Sequence, residues 1–260
     1  MLWVSERVAA AQRKRPARGR AACDFLYRVQ CNDVYWHGVF GGLYLNHLRE
    51  AAYANLLRAE AASDAVLHGE KERWTEAARG DIDRDGGEEL LLKTSGLTLL
   101  AHAHDGGAVT EISLPRRAVA LGHVLTRREE GYHEKFRRAV GSFDGSTSIH
   151  DAMVLKDPSV LSALGVDPWQ RASFREAYYG DGDLPETILS GAAAPRCFTA
   201  GREASVTVVR RGSRLAAEFA VPLGGEGIDL HLVKTLVLRG GGERFEARFR
   251  LENRGAETAS

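Results

Sequence analysis

The sequence predicts an α+β chain, a small α-helical bundle followed by an antiparallel β-sandwich, and three observations carry that prediction. Apolar residues recur at spacings of three and four through roughly the first sixty positions. The texture changes near residue 80, at the polar loop GDIDRDGGEE. Beyond it lie short runs in which apolar and charged residues alternate, separated by glycine turns such as RGGGER. The expected division is a bundle over 1–79 and a sandwich over 80–260.

Each element follows in order. Trp3, Val4, Val8 and Ala11 recur at helical spacing. The RKRPARGR run, with Pro16 and Gly19, then reads as a solvated turn between two helices. It is short and has no interleaved aromatics, which argues against nucleic-acid contact. A second helix is expected from Ala21 to about Gln30. The stretch CNDVYWHGVFGG is an aromatic loop punctuated by Gly38, Gly41 and Gly42. Leu45, Leu48, Ala52, Leu56 and Ala59 fall on one face of an amphipathic helix. Three such helices can bury their stripes against one another. Strands are expected over Leu90–Lys93, Leu97–His102 and Val109–Leu114. Val206 and Val208 alternate with Ser205 and Thr207, and Leu215, Ala217, Phe219 and Val221 alternate likewise. In RFEARFRLE, Phe245, Ala247, Phe249 and Leu251 alternate strictly with charged residues, the pattern of a half-buried strand with one face in water. Thr126 and Glu129 have capping-box spacing and predict one helix, TRREEGYHEKFRRA, interrupting the sandwich.

Composition bounds the function. Lys+Arg and Asp+Glu both number 35, so the formal net charge is zero and gives no electrostatic argument for nucleic acid or an anionic membrane. A neutral polar ligand such as a sugar polymer is compatible with that balance. Cys23, Cys31 and Cys197 form neither a disulfide framework nor a zinc signature, and are expected as reduced thiols in a cytoplasmic protein. In MLWVSERVAAAQRKRPARGR the basic residues follow the apolar run instead of preceding it, which is not a signal peptide. No stretch approaches the roughly 18 apolar residues of a membrane span.

Asp81, Asp83, Asp85 and Glu89 occupy positions one, three, five and nine of a D-x-D-x-D-G loop. Gly86 permits the sharp turn that lets alternate side-chain oxygens converge on one hard cation, and Ca2+ is the ion such a set would hold. No glutamate lies at position twelve, so the loop is not a full EF-hand, and a solvated acidic turn before a strand is the plainer reading. Ser148, His150 and Asp151 are sequence neighbours and cannot make a catalytic relay; a polar contact within the sandwich is expected. His133 reads as structural. His102 and His104 share a face if that run is a strand, but no third metal ligand is apparent, and exposed alternating positions are expected for them.

Residues 26–48, LYRVQCNDVYWHGVFGGLYLNHL, resemble the loop and helix of the central helical domain of glycoside hydrolase family 57 type α-amylases and 4-α-glucanotransferases. DIDRDGGEELL at 81–91 resembles the start of that family's C-terminal sandwich. Gly106–Leu114 followed by LTRREEGYH, then SIHD at 148–151 with Lys156 shortly after, resemble later stretches of it. The resemblance covers roughly residues 1–250. It implies a (β/α)7 barrel ahead of the bundle and sandwich, and retaining chemistry on α-1,4-glucans by two carboxyl groups about 5 Å apart. Both would lie on barrel strands, so no catalytic residue is assigned here. Met1 matches an internal position of the family, and LENRGAETAS falls short of where the sandwich closes, which would leave unpaired edges. A separate barrel-domain polypeptide is therefore one expected partner.

The resemblance also implies that the aromatic loop faces the barrel cleft. Trp36 and Tyr35 offer flat apolar faces for sugar C–H surfaces, and Asn32, Asp33 and His37 offer groups for hydroxyls. The competing reading has Trp36 packed under the bundle and Asp33 capping the next helix. At the level of function, the alternatives to part of a glucan-active enzyme are a carbohydrate-binding module and a fragment without function.

Overall fold

The structure, a computed structural model, describes residues 1–37, 40–69, 71–122, 124–138, 159, 165–180, 182–189, 193–225 and 228–255. They fall in two compact units, Met1–His123 with Ala172–Ser260, and Val124–Arg171.

The first unit begins with three helices, α1 (Leu2–Lys14), α2 (Pro16–Val29) and α3 (Asn46–His68). Val4, Val8, Ala22, Cys23, Leu26 and Ala59 are buried together, so the predicted stripes do meet. The turn between α1 and α2 is shorter than expected. Pro16 opens α2 instead of ending a helix, because proline's missing N–H and fixed φ suit the first helical position. Gly19 sits inside α2 and is buried; a Cβ there would lie 2.7 Å from Gln12 Cα. Its role is close helix approach.

Five antiparallel strands then form one sheet in the order β1 (Thr75–Gly80), β2 (Glu89–Thr94), β3 (Thr98–His102), β4 (Ala108–Leu114), β5 (Val119–Ala120). A short ribbon pairs β6 (Ala177–Tyr178) with β7 (Cys197–Phe198), and a five-residue helix, α5 (Pro185–Leu189), lies between them in the chain. The second sheet has the order β11-β10-β9-β8, from β8 (Ser205–Arg211), β9 (Arg214–Gly225), β10 (Ile228–Arg239) and β11 (Phe245–Asn253). Its pairings are antiparallel throughout. Leu90, Leu92, Leu99 and Ala101 of the first sheet, with Leu97 of the β2–β3 turn, share one core with Leu215, Phe219, Val221, Leu232 and Leu236 of the second. A sandwich therefore follows a helical bundle, as predicted.

The other face of the first sheet carries the helices. Lys93 of β2 is fully buried and pairs with Glu60 and Asp64 of α3, while Thr98 donates to Glu60 Oε1 at 2.8 Å. Arg7 of α1 pairs with the same Asp64 and with Glu76 of β1. Inside the sandwich the fully buried Lys234 donates to the carbonyls of Gly106, Gly107 and Phe174, with a Glu176 oxygen 3.0 Å away. Burial lowers the Lys234 pKa, opposed by Glu176. Strand β11 departs from the half-buried expectation: Phe245 and Ala247 pack on the core, but Phe249 and Leu251 are 49% and 54% exposed at the sheet edge.

In the second unit, α4 (Gly131–Arg138) starts later than the capping-box spacing suggests. Thr126 lies outside it, its hydroxyl accepting the Arg171 N–H at 2.9 Å. Arg127 and Arg171 both bond Asp167 and hold its carboxyl below the usual range. Ser148, His150, Asp151 and Lys156 lie outside the described residues. Among the described residues no helix is long and apolar enough to cross a membrane, and Cys23, Cys31 and Cys197 are free thiols.

Candidate functional site

The chain between α2 and α3 is held by its backbone. A 3-10 turn over Asn32–Tyr35 and another over Gly42–Tyr44 bracket it, and the Leu43 N–H donates to the Trp36 carbonyl at 2.9 Å. Gly42 has φ +47°, and a Cβ on it would lie 2.1 Å from the Trp36 carbonyl oxygen, so only glycine closes this loop. The Tyr35 hydroxyl donates to the Val29 carbonyl at the end of α2 (2.8 Å), and Arg49 of α3 donates to the Leu43 carbonyl. Both ends are thus tied to helices.

That scaffold presents side chains outward. Trp36 is 44% exposed and its ring meets His37 edge-on at 5.4 Å between centroids; Asn32, Asp33 and His37 are also exposed. Tyr35, Phe40 and Tyr44 extend the aromatic surface. Trp36 is not packed under the bundle. Asp33 does not cap α3, which starts after Leu45 with no side-chain cap. Its carboxylate instead faces the Cys31 thiol at 3.8 Å. Beside the loop lies a cavity of about 290 Å³, bounded by Tyr35, Arg49, Tyr53, Leu56 and Glu111. Its size is near the lower bound of ligand pockets, roughly 300 Å³. Burial, reinforced by Glu111, pushes the Tyr53 hydroxyl pKa up to about 12. Exposed rings beside hydroxyl, carboxylate and imidazole groups can take a ligand with apolar faces and a polar rim.

The acidic loop lies elsewhere on the unit, between β1 and β2. Carboxylate oxygens of Asp81, Asp83 and Asp85 lie within 4.8 Å of one another. Glu89 reaches into the sheet, with a carboxylate oxygen still within 4.8 Å of one of Asp85. Its Oε2 accepts the N–H groups of Ile82 (2.6 Å) and Asp83 (3.3 Å), while Oε1 faces His102 and His104. Glu89 is completely buried, and burial raises its pKa against those amide bonds. His102 was expected exposed but is 2% exposed, and burial lowers its pKa. The hairpin register sets Glu89 opposite His102. Counting back from the TSGL turn would have found that pair.

Comparison with known proteins matches two stretches of the chain. Residues 1–63 match a family model described as alpha-amylase/4-alpha-glucanotransferase, middle domain, and residues 81–259 match its C-terminal counterpart. An Alpha-amylase 1 of Dictyoglomus thermophilum is 35% identical over 158 residues, 61% of this chain and 22% of its own length. A 4-alpha-glucanotransferase of Thermococcus kodakarensis is 36% identical over 170 residues, 65% of this chain and 24% of its own. The chain thus spans less than a quarter of the length of these relatives. A crystal structure of a 4-alpha-glucanotransferase from Thermococcus litoralis shares the fold, with TM-score 0.70 and 24% identity over 95% of this chain and 35% of that one.

Proposed function

Because this chain belongs to the alpha-amylase/4-alpha-glucanotransferase family, we propose that it is the C-terminal portion of an enzyme acting on α-1,4-glucans. In this role it supports and lines a glucan site whose catalytic carboxylates lie on a barrel outside residues 1–260. The sandwich and helices are the support. The loop of Asn32, Asp33, Trp36 and His37 is the lining: Trp36 stacks on a glucose face, and the polar side chains bond its hydroxyls.

The observation that carries this reading is the outward presentation of Trp36 on a loop fixed at both ends. A fixed aromatic loses little freedom when a ligand stacks on it. The reading is tested by calorimetric titration of the full chain with maltohexaose, with cellohexaose as the β-linked control. Measurable binding of maltohexaose that falls at least tenfold in Trp36→Ala, with unchanged circular dichroism, is expected. Affinity unchanged in that variant would remove the loop from the site.

A further inference from the structure

We propose that Asp85, Glu89, His102 and His104 form a binding site for one zinc-class divalent metal ion at the end of the first sheet. One ligand atom from each of the four lies within 4.8 Å of all the others. The proposal turns on Glu89. Its side chain is completely buried, Oε2 is taken by two backbone amides, and Oε1 has no hydrogen-bond partner. A fully buried carboxylate oxygen without a donor is costly unless something positive faces it. What faces it is two imidazoles, His102 Nδ1 at 3.5 Å and His104 Nδ1 at 3.8 Å; Asp85 Oδ2 lies 3.6 Å from His104 Nε2.

Those separations are too long for good hydrogen bonds. The two Glu89–imidazole separations are close to the spacing of two ligands on one tetrahedral ion, roughly 3.3 Å for bonds of about 2.05 Å. The surroundings orient the donors. The His102 Nε2 lies 2.6 Å from Thr110 Oγ1, which leaves Nδ1 turned toward Glu89 and is the outer hydrogen bond a ligating imidazole makes. Asp85 Oδ1 accepts the Gly87 N–H at 2.7 Å, leaving Oδ2 for an ion. A Cβ on Gly87 would lie 2.1 Å from His104 Nδ1, so the loop backbone closes directly on that ring. The His104 Nδ1 is itself buried without a hydrogen-bond partner. Two carboxylates offset a 2+ charge, and two imidazoles favour zinc-class ions over Ca2+, which takes oxygen ligands. This site differs from an all-oxygen set of Asp81, Asp83 and Asp85.

The test uses the untagged full chain, stripped with EDTA and dialysed, then titrated calorimetrically with Zn2+, with Co2+ as the spectroscopic probe. One Zn2+ per chain is expected, together with visible Co2+ absorption of the tetrahedral type. His104→Ala, at a partly exposed position, and Asp85→Asn should each weaken Zn2+ roughly 10–100-fold with circular dichroism unchanged. No Zn2+ binding by the folded wild-type chain would overturn the proposal. So would a Zn2+ affinity unchanged in both variants, or uptake of Ca2+ without Zn2+. Maltohexaose binding enters none of these outcomes, so failure here leaves the glucan reading standing.

Discussion

Lys93 illustrates how this chain stores charge between layers. Its ammonium group is fully buried, pairs with Glu60 and Asp64, and lies 4.6 Å over the ring of Trp3. Removing one partner from such a cluster strands the others in a dry site. Lys93→Ala is expected to cost about 3–5 kcal/mol in urea unfolding, whereas a loss below about 1 kcal/mol would show that water reaches the cluster. His68 and Glu76 belong to the same network, 3.0 Å apart. Burial lowers the His68 pKa below 6.5; for Glu76 burial acts upward, but Arg7 outweighs it and the pKa falls below 4.5. Both folded values lie below the unfolded ones. The stability they contribute is therefore whole above about pH 6.5 and is lost as pH falls, first through histidine and then through the carboxylate. Thermal melts should show a lower Tm at pH 5 than at pH 7.5, with a smaller drop in His68→Gln; an equal drop would remove His68 as a cause. At this scale the sequence was least informative. Alternation alone made His102 an exposed residue, because the partner that buries it, Glu89, becomes adjacent only through the hairpin register.

Elements were more legible where one face meets solvent. The stripes of the three helices and the alternation in β9 show in the sequence because burial on one side leaves a period. Strand β10 escaped notice for the opposite reason. Leu232 and Leu236 are buried on one face and Val233 and Val237 on the other, so alternation vanishes, and Lys234 interrupts the run with a buried charge. Strand β1 is short and reads as TEAARG, with little apolar signal. Pro16 and Gly19 looked like a turn because both residue types usually break helices. Gly19→Ala separates the two arguments. Helix propensity alone predicts a gain of about 1 kcal/mol. The close approach of Gln12 predicts a loss of about 1–3 kcal/mol from overpacking. A destabilised variant in chemical denaturation is expected; a stabilised one would show that α1 can move aside.

For the molecule as a whole, the first unit stacks helices, one sheet and a second sheet, and ionic clusters join the first two layers. Arg7, Asp64, Glu76 and Lys93 tie α1, α3, β1 and β2 into one network. Helical circular dichroism and tryptophan fluorescence should therefore lose structure in one coincident transition, and helices melting well before the sheets would separate the layers. The bundle-then-sandwich order was readable from the change of period near residue 80. The surface proposed to line the glucan site was readable only as a composition, aromatic and polar residues among glycines, until the backbone showed which way they face. The central claim is that this face meets an α-1,4-glucan. Its most direct measurement is the nuclear magnetic resonance spectrum of the labelled full chain titrated with maltohexaose. Saturable shifts concentrated at residues 31–37 and 40–44, led by the Trp36 indole, are expected. Shifts confined to the sandwich, with the Trp36 signal unmoved at saturation, would contradict the claim.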